Sequence, residues 1–226
     1  MIVRWSSVLL VLIASGGCSA ADRYDVLIRN GMIYDGSGAE PVRGAVGIRG
    51  DRIAAVGELA GARGRVEIDA GGSAVAPGFI NMLSWANESL IHDGRSQSDI
   101  RQGVTLEVLG EGSSMGPWNE AMKRAQRESQ GDIKYKIEWT TLGEYLRWLE
   151  RRGISTNVAS FVGTATVRMH ELGSVDRKPT AAELERMCAL VRQAMEEGAV
   201  GVSSALIYPP GAFADTDELV ALAKVA

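Results

Sequence analysis

Residues 76–85, Ala-Pro-Gly-Phe-Ile-Asn-Met-Leu-Ser-Trp, decide how this chain reads. Before Pro77 the apolar runs are short and bounded by Gly, Asp or Asn, which is hairpin punctuation. After Pro77 apolar strands alternate with amphipathic helices. In a strand, residues two apart point to the same side, so Asn81, Leu83 and Trp85 are expected on one face.

Downstream, a short helical stretch closes at Gly103 and Val104–Glu111 forms a second strand. Thr141 with Glu144 makes a capping box ahead of Leu142, Leu146 and Leu149, and Gly153 stops that helix. Asn157–Gly163 is a third strand. Thr180 with Glu183 caps a second long helix, which places Leu184, Met187, Cys188, Val191 and Met195 at helical spacing and ends at Gly198. Residues 199–208 form a fourth strand, and Asp215 with Glu218 opens a last helix. Such alternation means a parallel sheet with helical crossovers. The expected class is α/β: about four βα units over residues 77–226, the truncated first half of a (β/α)8 TIM-type barrel, since a closed one takes ~250 residues.

Upstream, residues 22–76 read as part of a small β-sandwich domain. Arg29-Asn30-Gly31 and Arg49-Gly50-Asp51 are its expected tight turns, and Val26, Ile28, Val46, Ile48, Ile53 and Val56 its expected core. A layer of this size buries little by itself and calls for a second layer.

A net charge of −4 provides no basic stripe for a phosphate backbone, so nucleic acid is not an expected partner. Residues 1–21 read as a signal peptide: Arg4, an apolar run from Val8 to Ala14, then small residues. The run is far shorter than the ~20 residues that span a bilayer. Export to the periplasm or cell envelope is expected. Gly16 and Gly17 before Cys18 resemble a lipoprotein cleavage box, which would lipidate Cys18 and anchor the chain; cleavage after Ala20 or Ala21 is the alternative. Cys188 is the other cysteine, so no intrachain disulfide forms once Cys18 is lipidated or removed.

Five stretches, Asp25–Gly38, Arg49–Gly57, Ile68–Asn81, Arg101–Glu111 and Glu196–Ala226, together resemble the N-terminal half of the D-aminoacylase (N-acyl-D-amino-acid deacylase) branch of the amidohydrolase superfamily. The resemblance implies hydrolysis of a linear amide C–N bond in an N-acyl amino acid or similar small molecule, on a metal-dependent barrel beside a small β-sandwich. It implies zinc that polarises the carbonyl and lowers the pKa of bound water toward ~7, with an aspartate from a late strand handling protons. The superfamily begins its barrel with Asp-x-His-x-His; here Leu83 and Trp85 stand at the histidine positions, and neither offers a lone pair. Gly112 stands at the branch's zinc cysteine. One ion at most is therefore expected, with Glu111 as the candidate ligand and catalytic residues expected beyond Ala226.

The resemblance also leaves readings open residue by residue. Glu111 is either a ligand or substrate-facing acid, or a carboxylate accepting backbone N–H groups in a Gly-rich turn. Glu107 is expected in a buried ion pair with a basic residue. His92 and His170 are read as loop residues without ligand spacing, and Thr164 stands where relatives often carry histidine. Arg168, Ser203 and Tyr208 are candidates for the substrate pocket, with salt bridging or loop packing as their alternatives; Cys188 is read as core. The functional expectation is an exported amidohydrolase fragment, inactive alone. The alternative is a non-catalytic envelope protein that binds a ligand in a degenerate barrel. Open sheet edges make a homodimer an expected partnership.

Overall fold

The computed structural model describes residues 23–226; the signal peptide and Cys18 readings lie outside them. The fold is α/β, in two units, one ending at Pro77 and the other spanning Gly78–Ala226.

The first unit is one mixed sheet. Strands β1 (Arg23–Ile33), β2 (Val42–Arg49), β3 (Arg52–Gly57) and β4 (Arg63–Asp69) lie in the order β3-β2-β1-β4, and β5 (Ala74–Val75) also pairs with β1. The β1–β2 and β2–β3 pairs are antiparallel, whereas β4 and β5 run parallel to β1. Gly50 and Asp51 make the expected turn between β2 and β3. Asn30-Gly31 does not turn the chain. It lies inside β1 where the register to β2 shifts, with Asn30 at φ 56° and its Nδ2 donating to Asp69 Oδ1 at 3.0 Å. Asn tolerates this left-handed geometry, and the strand continues past the bulge to meet β5.

The expected core residues do share a face. Val26 lies opposite Ile48 and Val66, Ile28 opposite Val46 and Ile68, and Val46 and Ile48 opposite Val56 and Ile53. Directly paired residues project to the same side, so this face is an apolar stripe across four strands. Most of it is not buried: Ile53 is 63% exposed and Val56 53%, and of the six expected core residues Val46 alone is buried. The buried cluster of this unit consists of Tyr24, Leu27, Ala45 and Ala62. Leu27 has the opposite parity from Val26 and Ile28, which accounts for the difference. Gly47 is required there, because a Cβ would come within 2.5 Å of the Tyr24 ring.

In the second unit β6 (Phe79–Asn81), β7 (Val104–Leu109) and β8 (Asn157–Ser160) form a parallel sheet in that order. One residue beyond β8, β9 (Val162–Gly163) pairs in parallel with β10 (Val202–Ser203). The helices are α1 (Asn87–His92), α2 (Gln97–Ile100), α3 (Glu120–Ser129), α4 (Leu142–Arg152), α5 (Thr164–Leu172), α6 (Ala181–Glu196) and α7 (Thr216–Val225). Both capping boxes are made as read: Thr141 with Glu144 opens α4 and Thr180 with Glu183 opens α6. Asp215 caps α7 through the Glu218 N–H. Helices α3 and α5 lie where the sequence pattern predicts no helix. His170 therefore lies on α5 and His92 at the end of α1, both helical where loops were expected.

The core of this unit gathers around Trp139, whose ring lies 5.1–6.1 Å from Trp118, Tyr135, Tyr145 and Trp148. Leu142 and Leu149 of α4 and Met187 and Val191 of α6 are buried in it. The Trp139 Nε1–H donates to Met115 O at 2.7 Å, so the aromatic cluster also holds the segment after β7. Among the described residues no helix is long and apolar enough to cross a membrane.

The two faces of the first unit should respond differently to substitution. Leu27→Ala should cost about 2–5 kcal/mol, whereas Ile68→Thr on the open face should stay within about 0.5 kcal/mol. Urea denaturation of the two variants checks this; a larger loss from Ile68→Thr would show that the apolar face is covered.

Candidate functional site

The candidate site is the turn 110–114 at the C-terminal end of β7. In parallel α/β sheets ligands gather at this end, and the turn's shape follows from local crowding. Gly110 and Gly112 have φ of 92° and 64°. A Cβ on Gly112 would meet the Ala205 Cβ at 2.6 Å. Backbone bonds lock the turn from both sides: Ala165 N–H donates to Gly112 O at 3.0 Å and Ser113 N–H to Glu111 O at 2.6 Å.

Ser203 is part of this lock. Its hydroxyl donates to Gly110 O and accepts from Gly112 N–H at 2.9 Å, so it clamps the turn and is already engaged as both donor and acceptor. Ser114 is similarly committed, donating to Gly116 O at 2.6 Å and accepting from Gly163 N–H at 3.0 Å. Glu111, by contrast, is half-buried, and its carboxylate has no hydrogen bond or ion pair among the described residues. Tyr208 is 61% exposed beside Pro209 and Pro210. The Thr164 hydroxyl is buried at the first turn of α5 without a hydrogen-bond partner among the described residues.

One buried charged group differs from its expected setting, and another takes the alternative left open for it. Glu107 is fully buried, but among the described residues no basic side chain pairs with it. Its Oε2 accepts from Ser84 Oγ–H at 2.6 Å, and its Oε1 accepts from Ser96 Oγ–H at 2.8 Å and Thr156 Oγ1–H at 3.1 Å. Three hydroxyls spread over 72 residues of sequence give no local signal, whereas an arginine partner is the commoner solution for a buried carboxylate. Arg168 makes the salt bridge that was its alternative reading. It is fully buried against Glu218 of α7 and also donates to the carbonyls of Val175 and Arg177. Burial pushes the Glu218 carboxyl above its ordinary value, against the pull of the Arg168 charge.

The segment after β6 also departs from the parity expected of it. The strand ends at Asn81, whose Oδ1 accepts from Leu83 N–H at 3.2 Å in an Asx turn. Leu83 and Trp85 are exposed, and Ser84 between them turns inward to Glu107. Cys188 is a half-buried free thiol packed on the core side of α6.

No protein-family model matches the chain. Over 209 residues it is 34% identical to the D-aminoacylase of Alcaligenes xylosoxydans xylosoxydans, covering 91% of this chain and 43% of that protein. The structure superposes on a solved D-aminoacylase structure concerned with the role of its binuclear metal centre, at a TM-score of 0.79 and 33% identity, over 89% of this chain and 43% of the other. The chain belongs to the D-aminoacylase branch of the amidohydrolase superfamily.

Other members agree. The N-acyl-D-glutamate deacylase of the same Alcaligenes is 35% identical over 91% of this chain and 42% of its own length. The N-acyl-D-glutamate deacylase of Bordetella bronchiseptica, solved with zinc and a phosphonate mimic of the tetrahedral intermediate, superposes at a TM-score of 0.78 with 34% identity, over 91% of this chain and 43% of that one. The chain spans less than half the length of the relatives it matches.

Zinc, which the family implies, does not fit the donors this chain presents. Among the described residues no three His, Cys, Asp or Glu side chains come together. Leu83 and Trp85 have no lone pair to give. The Gly112 position has no room for a donor side chain either, since a Cβ there would meet Ala205. Glu111 alone is short of the three protein ligands of a catalytic zinc.

Removing the buried carboxylate should be costly. Glu107→Leu should lose about 3 kcal/mol or more, since three buried hydroxyls each forfeit an acceptor worth ~1–3 kcal/mol. Glu107→Gln, which keeps one acceptor oxygen, should lose less. Thermal unfolding of both variants tests this, and equal losses would contradict the hydroxyl cage.

Proposed function

We propose that this chain supplies one part of an amide hydrolase that cleaves the linear C–N bond of an N-acyl-D-amino acid. What carries the reading is that the likeness runs through nine-tenths of the chain, to relatives named as deacylases of D-glutamate and D-aspartate derivatives. On this reading residues 77–226 are the first units of a (β/α)8 barrel. Residues 22–76 are part of a β-sandwich whose second layer would cover the stripe from Ile53 to Ile68.

The turn 110–114 is then the substrate-facing edge. Glu111, unpaired and half-buried at the strand end, is the group available to hold a proton or orient a water there. Ser203 positions it indirectly by holding Gly110 and Gly112. These residues alone do not assemble the donors for zinc, so the 226-residue chain should bind no stoichiometric zinc and cleave no N-acyl-D-amino acid. The same missing donors favour a second reading, in which the chain keeps the fold and only binds its ligand, as a homodimer or at a membrane surface through a lipid on Cys18.

Export belongs to the proposal as well, with the mature chain starting between Cys18 and Asp22. Mass spectrometry of the native N-terminus decides: an intact Met1 contradicts export, and a diacylglyceryl mass on Cys18 selects a lipoprotein.

The substrate reading is tested by NMR titration with N-acetyl-D-glutamate and its L counterpart. Shifts at residues 111–114 should be larger for the D form, and Glu111→Ala should reduce them; an equal response to both enantiomers overturns the assignment. Elemental analysis should find no stoichiometric zinc in the chain with or without Glu111→Ala. Two tightly held ions would show that donors have been misread.

A further inference from the structure

A groove of about 670 Å³ lies between α3 and α5, within the ~300–1,000 Å³ that small-molecule sites occupy. Met122 and Ala125 of α3 form one wall, Ala165 and Met169 of α5 the other, and Pro209 closes one side. Helix α3 is unusual in this unit: it is ten residues long, and none of them is buried. It is held at its edges instead. Asn119 caps it and donates from Nδ2 to His170 O at 3.0 Å, and Gln126 donates to Glu88 and Tyr135 on the far side. These polar ties set α3 in place while Met122 and Ala125 line open volume instead of packing fully on α5.

Most of the groove's polar groups are engaged: Asn119 and Gln126 in the ties just described, and Ser129 by donating to Gln126 O. Thr166 accepts from Ser114 N–H at 2.8 Å and Ser114 is committed within its turn, so neither hydroxyl is free. Ser113 is exposed, and no hydrogen bond engages its hydroxyl among the described residues. His170 Nδ1 lies 3.0 Å from Glu171 Oε1, and Arg186 holds the other carboxylate oxygen at 2.6 Å. This leaves His170 Nε2 to the groove. No Lys, Arg, Asp or Glu lines it. An apolar chain with a single small polar end suits such walls, whereas a charged side chain would lose its hydration there without a partner. The polar end also has a fixed place, because Ser113 belongs to the same turn as Glu111.

We propose that this groove holds the acyl part of the substrate, a medium-length alkyl or aryl chain running from Ser113 along Met122 and Met169. The assignment rests on the amide reading given above, to which it adds the class of acyl group.

The probe is decanoate, with acetate as the short control, titrated into the 226-residue chain carrying 13C-methyl methionine. Decanoate should shift the Met122 and Met169 methyls and leave the fully buried Met187 unmoved, and acetate should shift none. Ala125→Trp, at an exposed position on the groove wall, should weaken decanoate binding at least 10-fold without altering the circular dichroism spectrum. Absence of decanoate binding, or shifts that miss Met122 and Met169, overturns the proposal. So does unchanged affinity in a folded Ala125→Trp. The methyl readout needs no variant, so a misfolded Ala125→Trp does not rescue it. Decanoate binding in the groove with an equal response to D and L amino-acid derivatives would leave the groove standing and remove the deacylase reading; D-selectivity without decanoate binding would do the reverse.

Discussion

One buried carboxylate organises the second unit. Glu107 sits at the centre of β7, fully buried and with no basic partner among the described residues, and it is satisfied by hydroxyls from three separate segments: the turn after β6, the start of α2, and the approach to β8. A charge in a low-dielectric interior is tolerated only when its lone pairs are met. The three segments are therefore not free to slide relative to β7. Ser84 is drawn inward, and its neighbours Leu83 and Trp85 are turned to the surface. The position of these two side chains, on which any reading of the site depends, follows from the charge behind them.

The same logic explains what could be read from residue order and what could not. Capping boxes are local: Thr141 and Glu144, or Thr180 and Glu183, lie within one turn, and both helix starts were legible. Helix α3 was not, because its Lys, Arg and Glu outnumber its apolar residues and it lacks the broad apolar face by which surface helices are recognised. Helix α5 was hidden by Gly163 and two threonines, which read as strand or loop; its burial between the turn 110–114 and α6 overrides that weak local preference. Asn30-Gly31 has the composition of a hairpin turn, yet β5 offers β1 a continuing partner, and the pair becomes a bulge. In the sheet of the first unit period-2 alternation showed which residues share a side, but alternation alone does not say which of two sides is covered.

For the site, the departures were legible and their consequences only partly so. That Leu83, Trp85 and Gly112 provide no metal donors is a statement about side-chain chemistry and needs no coordinates. That Ser203 clamps the turn and Arg168 is withdrawn into an ion pair depends on contacts 50 to 93 residues apart, which spacing cannot reveal. Both were reasonable pocket candidates by residue type. Their side chains are instead spent on an ion pair and on holding backbone, whereas Glu111 and Tyr208 keep uncommitted functional groups among the described residues.

The crowding at Gly112 bears on how such a chain could change over time. A residue with a side chain at this position would need a left-handed backbone and would overlap the methyl group of Ala205. A single substitution to cysteine is therefore disfavoured, because the loop carrying Ala205 would have to move with it. Gly112 and Ala205 therefore constrain each other, and a larger residue fits at either position only if the facing segment shifts with it.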